Sequence, residues 1–144
     1  MASLPAFEAR MLWIDAAANL EWTIDPVKVE SFCAKTPRAG FNELIVDVKS
    51  IDGRVLFRCP GEKPLDKLTR NNKTIVVPPD YDLLNVFTKE AHKNGLRISA
   101  ALNVFSEGHG LFPGPGLAYE NPDLQSRVVL AKYRIILKDN SQIE

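Results

Sequence analysis

The sequence lacks features that are typical of nucleic-acid-binding, membrane-spanning and secreted proteins. Its 144 residues carry 18 basic and 18 acidic side chains, so the formal net charge is zero. Without a basic excess no global field favours nucleic acid or an anionic membrane surface, and we expect neither as a partner. No apolar run approaches the roughly 20 residues that a membrane-spanning helix needs. The first residues lack the basic start and continuous apolar core of a secretory signal, which indicates either a cytoplasmic chain or a targeting segment that has been removed.

Cysteine and histidine are equally scarce. Cys33 and Cys59 are too few and too far apart for a disulfide framework or a metal site, so we expect two free thiols, with Cys33 buried on a helix. His92 and His109 show no HxH or HExxH spacing, which argues against zinc. The glycines between 108 and 116 follow a polar loop and open no helix, so they form no dinucleotide fingerprint. The sequence therefore predicts neither a metal nor a cofactor.

What is present is a soluble composition, 45% hydrophobic and 25% charged, arranged in alternating elements. The chain is organised around Leu96 to His109 (LRISAALNVFSEGH), an apolar, β-prone segment that ends in a polar tip. Before it, Asp82 to Gly95 repeats apolar residues at helical spacing and ends at a glycine suited to the C′ position. The predicted order of elements in this unit is a helix, a glycine, a strand and a polar segment.

Two further strands precede this unit. Met11 to Ile14 predicts the first, and Phe41 to Val48 (FNELIVDV) predicts a second that is buried on both faces, because its apolar character is continuous. Between them, Asp25 and the following proline predict a helix start. Alternation of this kind predicts an α/β fold of parallel βα units. A (β/α)8 TIM barrel needs about 250 residues, so the chain forms either a small open sheet or the N-terminal half of a barrel.

Two segments do not follow the alternation. Residues 50–79 break into glycines, prolines and an asparagine pair, which predicts a long loop with short strands at Val55 to Phe57 and Thr74 to Val77. Near the end, Val128 to Leu137 is apolar and fits a helix or a strand equally well.

Four segments together resemble the N-terminal part of the glycosyl hydrolase-like family 10 domains. They are WIDAAANLE, FNELIVDVKSIDGRVLF, DYDLLNVFTKEAHKNGLRISAALNVFSEGH and GLAYENPDLQS, and the likeness spans Met11 to Gln125. These bacterial proteins are similar to TIM-barrel glycoside hydrolases, so the resemblance implies that residues 1–144 are a single, incomplete (β/α) domain. It also implies a periplasmic or extracellular location. In related barrels the acid and the nucleophile usually come from the fourth and seventh strands, so it supports fold and substrate class more than activity.

The candidate site residues follow predicted strand ends, which share one rim of a parallel sheet. Glycosidases flank the sugar bond with two carboxyl groups, and Glu107 and Asp47 are the catalytic candidates. The competing interpretation is structural: Asp15 caps a turn, Asp47 pairs with Lys49 or an arginine, and Glu107 lies in solvent. Asp15, at a predicted strand end, is a substrate-binding candidate. The other substrate-binding candidates match polar positions of the family and are Lys49, Asn103, Ser106, His109 and Tyr119.

Three aromatic residues are candidates for sugar binding, and for two of them a position in the core is also open. Trp13, Phe105 and Tyr119 offer apolar faces to sugar rings, although Trp13 and Phe105 adjoin strands and are more often core residues. The leading hypothesis is a glycoside hydrolase-like domain that binds a poly- or oligosaccharide and, in the complete barrel, hydrolyses O-glycosidic bonds by carboxylate acid/base chemistry. The alternative is a non-catalytic carbohydrate-binding or protein-interaction module from a truncated barrel, self-associating through open sheet edges.

Overall fold

A three-stranded parallel sheet is the centre of a mixed α/β fold, with strand order β1-β2-β5. The structure, a computed structural model, describes residues 8–108 and 116–125, and the backbone of 135–136 and 142–143. The strands are β1 Met11–Asp15, β2 Glu43–Asp47, β3 Lys67–Arg70, β4 Lys73–Val76, β5 Arg97–Ala101, β6 Ile135–Ile136 and β7 Gln142–Ile143. The helices are α1 Leu20–Thr23, α2 Pro26–Lys35, α3 Leu83–Lys93 and α4 Leu117–Glu120.

Both long helices begin where the sequence predicts, and α3 also ends where predicted. The Asp25 carboxylate caps α2 by accepting hydrogen bonds from the backbone N–H groups of Val27 (3.0 Å) and Lys28 (3.3 Å). Asp82 caps α3 in the same way, and Gly95 leaves that helix with a φ of 69°. Left-handed backbone is most easily adopted by glycine, which explains the stop before β5.

Both long helices pack against each other on the same face of the sheet. Ile14 and Val46 of the strands and Phe87 of α3 belong to the same hydrophobic core, and all three are buried. The ring of Trp22 lies 4.8 Å from that of Phe32 and 6.0 Å from that of Phe87, which joins α1, α2 and α3.

The two cysteines are free, as predicted. Cys33 lies on α2 within the core, and burial raises the pKa of its thiol to about 11, with the charge of Glu90 adding to the rise. Because the thiolate is the reactive form, this thiol is inert at neutral pH. Cys59 is exposed.

The opposite face of the sheet is open, which corrects two predictions. Trp13 is 59% exposed and Ile45 of β2 is only partly buried, so β2 is not buried on both faces. Phe105 is 96% exposed, so neither it nor Trp13 is a core residue. The reason is topological: both crossover helices cover the same side, and among the described residues no layer lies over the other side, toward which alternate strand residues point.

The outer edge of β5 is also open. Ser99 and Ala100 are exposed, and among the described residues no strand pairs with that edge. Glu43 shares the open face and accepts a hydrogen bond from the Ser99 hydroxyl (3.0 Å) beside an ion pair with Arg97 (2.5 Å). The open face is therefore part aromatic and part charged.

Residues 50–79 are more ordered than the predicted long loop. Strands β3 and β4 form an antiparallel hairpin whose turn is Asn71-Asn72, with φ values of 50° and 59°. Both angles are positive, as a tight hairpin turn with the twist of its strands requires. The predicted strand at Thr74 to Val77 is confirmed as β4, whereas Val55 makes only isolated bridges.

Most of Val128 to Leu137 lies outside the described residues. Within it, β6 pairs antiparallel with β7. In the parts of the chain that the structure describes, no helix has the length and apolarity to cross a membrane.

Candidate functional site

Two carboxylates stand side by side where β1 and β2 end. Asp15 and Asp47 are partners in the strand register, and both line a pocket of about 200 Å³. Turns after β1 and β2 form its sides, and strand β3 of the hairpin forms another wall. The other lining residues are Ala17, Ala18, Lys49, Ser50, Ile51, Asp52, Leu68, Thr69 and Arg70.

The two carboxylates differ in their surroundings. Asp15 Oδ1 accepts a hydrogen bond of 2.8 Å from the backbone N–H of Ala18, so the turn-capping interpretation is confirmed. Asp47 Oδ1 accepts a longer one of 3.3 Å from the backbone N–H of Lys49. Burial raises the pKa of Asp47; the hydrogen bond from Lys49 opposes the rise, and the negative charge of Asp15 adds to it.

We expect Asp47→Asn to stabilise the protein slightly at neutral pH. A raised pKa means that the folded state binds the Asp47 proton more tightly than the unfolded chain does. The contribution of Asp47 to stability is therefore present at low pH and is lost as the pH rises from about 4 through the folded-state pKa. The asparagine does not titrate, so the difference in melting temperature between variant and wild type should grow over that window.

Melting curves recorded as a function of pH test this expectation. Asp80→Asn is the matched control, because Asp80 is exposed and does not line the pocket. A melting-temperature difference for Asp47→Asn that is constant with pH would contradict the burial argument.

Lys49 binds through its side chain to the loop that follows β5. Its side chain is only 10% exposed, and its ammonium donates a hydrogen bond of 3.0 Å to the carbonyl of Val104 and forms an ion pair with Glu107. Glu107 therefore does not lie in solvent, and its side chain is 31% exposed. Asp47 pairs with the backbone of Lys49 and not with the ammonium, which corrects that part of the structural interpretation.

The surroundings of Glu107 are crowded by two loops. The Ser106 hydroxyl donates to the carbonyl of Ile51 (2.8 Å), and the carbonyl of Glu107 accepts from the N–H of Ala118 (3.1 Å). A Cβ on Gly108 would lie 2.8 Å from the ring of Tyr119, so the tyrosine ring packs closely against this glycine. These contacts hold the Glu107 segment between the loop after β2 and helix α4.

The structure brings together most of the predicted site residues, in two adjoining groups. Asp15, Asp47 and Lys49 line the pocket, and Lys49 joins them to the second group. Asn103 is exposed and its carbonyl accepts from the N–H of Ser106 in a turn. His109 lies outside the described residues. The members of the second group are Ser106, Glu107 and Tyr119.

Comparison with known proteins gives limited guidance. No family model matches the chain, and no solved structure matches it. An S-layer-related protein of Niallia circulans is similar to the chain, at 27% identity over 136 residues. That match covers 93% of this chain but only 8% of the relative, so the chain spans a small part of that protein's length. Membership of a glycoside hydrolase-like family stays a prediction.

Sequence reasoning missed the hairpin wall and the buried ion pair between Arg54 and Asp52, of which Asp52 lines the pocket. Arg54 and Asp52 are both buried and joined by contacts of 2.7 Å and 3.0 Å. The third Arg54 guanidinium nitrogen lies 2.6 Å from Asp66, just before the hairpin. The Asn71-Asn72 pair signalled the hairpin turn, but no local signal places β3 beside Asp15 and Asp47.

Proposed function

We propose that the chain forms the first βα units of a glycoside hydrolase-like barrel and that its strand-end pocket binds a carbohydrate. The observation that carries the proposal is the pair Asp15 and Asp47, adjacent in register at the carboxyl ends of parallel strands and opening into one pocket. Parallel α/β enzymes place their active sites at this end of the sheet. Carboxylate oxygens beside small apolar side chains suit the hydroxyl edge and the apolar face of a sugar ring.

The sheet topology supports the barrel. Its strands follow one another in chain order, and the crossover helices α2 and α3 cover one face, whereas a doubly wound sheet would have helices on both faces. In a closed barrel the open face that carries Trp13 is the interior, and the free edge of β5 pairs with the next strand. A closed barrel therefore accounts for both the open face of the sheet and the free edge of β5.

In the complete barrel the two catalytic candidates have different roles. The pKa of Asp47 is raised, and a shift in this direction favours its use as the proton donor to a leaving glycosidic oxygen. Glu107 is the second carboxylate, and Lys49 is a positioning residue that holds it toward the rim. The S-layer-related relative, far longer than this chain, suits a module within a larger protein.

Sugar titrations followed by two-dimensional NMR of the 144-residue chain test the proposal. We expect pocket resonances to shift with at least one of glucose, N-acetylglucosamine, cellotetraose and chitotetraose. Asp47→Asn should weaken that binding by about tenfold or more, because a carboxylate that receives sugar hydroxyls is replaced by a weaker acceptor. Asp80→Asn should leave it unchanged, and Glu62→Gln, on an exposed turn, is the matched control for Glu107→Gln.

Equal affinity in Asp47→Asn, Glu107→Gln and wild type would remove these residues from the site. Absence of binding to every sugar in the panel would contradict the proposal itself.

The open face favours a second candidate, a non-catalytic module that pairs with a second copy of itself. Met11 and Trp13 are 49% and 59% exposed on one face, and exposed sheet surface and edges promote association. Light scattering over a range of concentrations should then show a dimer that Trp13→Ser dissociates and Phe105→Ser does not, because Phe105 is an even more exposed aromatic residue but lies outside the sheet. A monomer at every concentration would contradict this candidate.

A further inference from the structure

We infer that the pocket beside Asp15 and Asp47 accepts a single sugar ring at the end of a glycan chain, and that the β3–β4 hairpin sets this limit. The inference rests on the proposed carbohydrate function and names the part of the substrate that the pocket takes. Three features carry it: the size of the pocket, the attachment of the hairpin, and the chemistry of the lining.

The pocket is small. Its volume of about 200 Å³ exceeds the ~150 Å³ of a cavity that encloses one six-membered carbon ring. It is below the ~300–1,000 Å³ of sites that enclose larger organic ligands. One pyranose ring fits, and a second ring must lie outside.

The hairpin wall is held at its base, along its inner face and near its tip. Asp66, just before β3, pairs with the buried Arg54 at 2.6 Å, and Leu68 of β3 packs against the core. Lys73, just after the turn, reaches Glu21 of α1 at 2.5 Å. The wall is thus tied to both the loop after β2 and helix α1, and we expect it to stop a glycan from continuing past this side of the pocket.

The residues that line the pocket suit a sugar ring whose apolar face and hydroxyl edge both contact the protein. Ala17, Ala18, Ile51 and Leu68 supply apolar surface, while the carboxylates of Asp15 and Asp47 receive hydroxyl hydrogen bonds. Thr69 and Arg70 of the hairpin wall add donors on the other side of the pocket.

Comparing each monosaccharide with its own tetramer tests the inference. We expect glucose and cellotetraose, or N-acetylglucosamine and chitotetraose, to bind within about threefold of each other, because the added rings make no further contacts. A tetramer that binds tenfold or more tightly than its monosaccharide would overturn the single-ring limit while leaving carbohydrate binding intact. If none of the four sugars shifts the pocket resonances, both this inference and the proposed function fail.

Variants of the wall give an independent test. Leu68 and Ile75 are cross-strand partners, both partly buried against the core, but only Leu68 lines the pocket. Leu68→Ala should open the wall and raise the preference for the tetramer by about threefold or more, whereas the matched Ile75→Ala should keep the wild-type ratio. Equal ratios in the two variants, with equal losses of stability, would show that the hairpin does not set the limit.

Discussion

Arg54→Met is expected to destabilise the protein by about 3–5 kcal/mol, as removal of one partner from a buried ion pair does. The Asp52 side chain is only 7% exposed, and the Arg54 guanidinium reaches its carboxylate through Nε at 3.0 Å and a terminal nitrogen at 2.7 Å. Methionine fills similar space but donates no hydrogen bond. The Asp52 carboxylate therefore stays buried without its cation.

Denaturant unfolding of four proteins measures this effect. Asp66→Asn should cost about 1 kcal/mol or less, because the Asp66 side chain is 68% exposed and its interaction with Arg54 is screened by water. The double variant Arg54→Met with Asp52→Asn should recover part of the loss, since the uncompensated charge is gone. A cost for Arg54→Met no greater than that of Asp66→Asn would mean that the buried pair contributes little.

Gly53→Ala is expected to cost about 3 kcal/mol, the sum of backbone strain and a steric clash. The φ of Gly53 is 88°, in the left-handed region that an alanine adopts only with strain. A Cβ at this position would also lie 3.1 Å from the Cα of Glu107 and closer still to the Glu107 carboxylate. The alanine therefore pushes on the backbone and side chain that Lys49 holds.

Gly61 provides a matched control for this substitution. Its φ is 90°, but a Cβ there would meet nothing within 4 Å, so Gly61→Ala should cost only the strain, about 1 kcal/mol. The difference between the two variants measures the close approach of Gly53 to Glu107. NMR shifts of the Glu107 segment should change in Gly53→Ala alone, and equal costs without such a change would contradict the packing described here.

The elements that could be predicted from sequence are those with signals inside a few residues. Asp25 followed by proline marks the start of α2, Asp82 and Gly95 bound α3, and these signals act through the backbone of the same turn. The carboxyl ends of β1 and β2 were predictable for a related reason. Parallel pairing places the ends of neighbouring strands at one edge, so Asp15 and Asp47 had to be close once both strands were recognised.

The partners of those residues were less predictable. Lys49 and Glu107 are 58 positions apart, and either Asp47 or Glu107 was chemically suitable for the ammonium. The backbone geometry after β2 turns the Lys49 N–H toward Asp47 and sends the side chain to the loop after β5.

The sequence by itself thus determined the α/β alternation, the starts of α2 and α3, the end of α3 and the carboxylates at one end of the sheet, because periodicity, caps and strand pairing are local or pairwise. Only the tertiary structure decided that the hairpin lies beside the pocket, that Arg54 is buried with Asp52, and that Trp13 is exposed. The physical reason is that burial depends on which layers cover a face. Which layers cover a face depends on how segments that are distant in sequence pack together, so the residues next to a given position do not predict its burial.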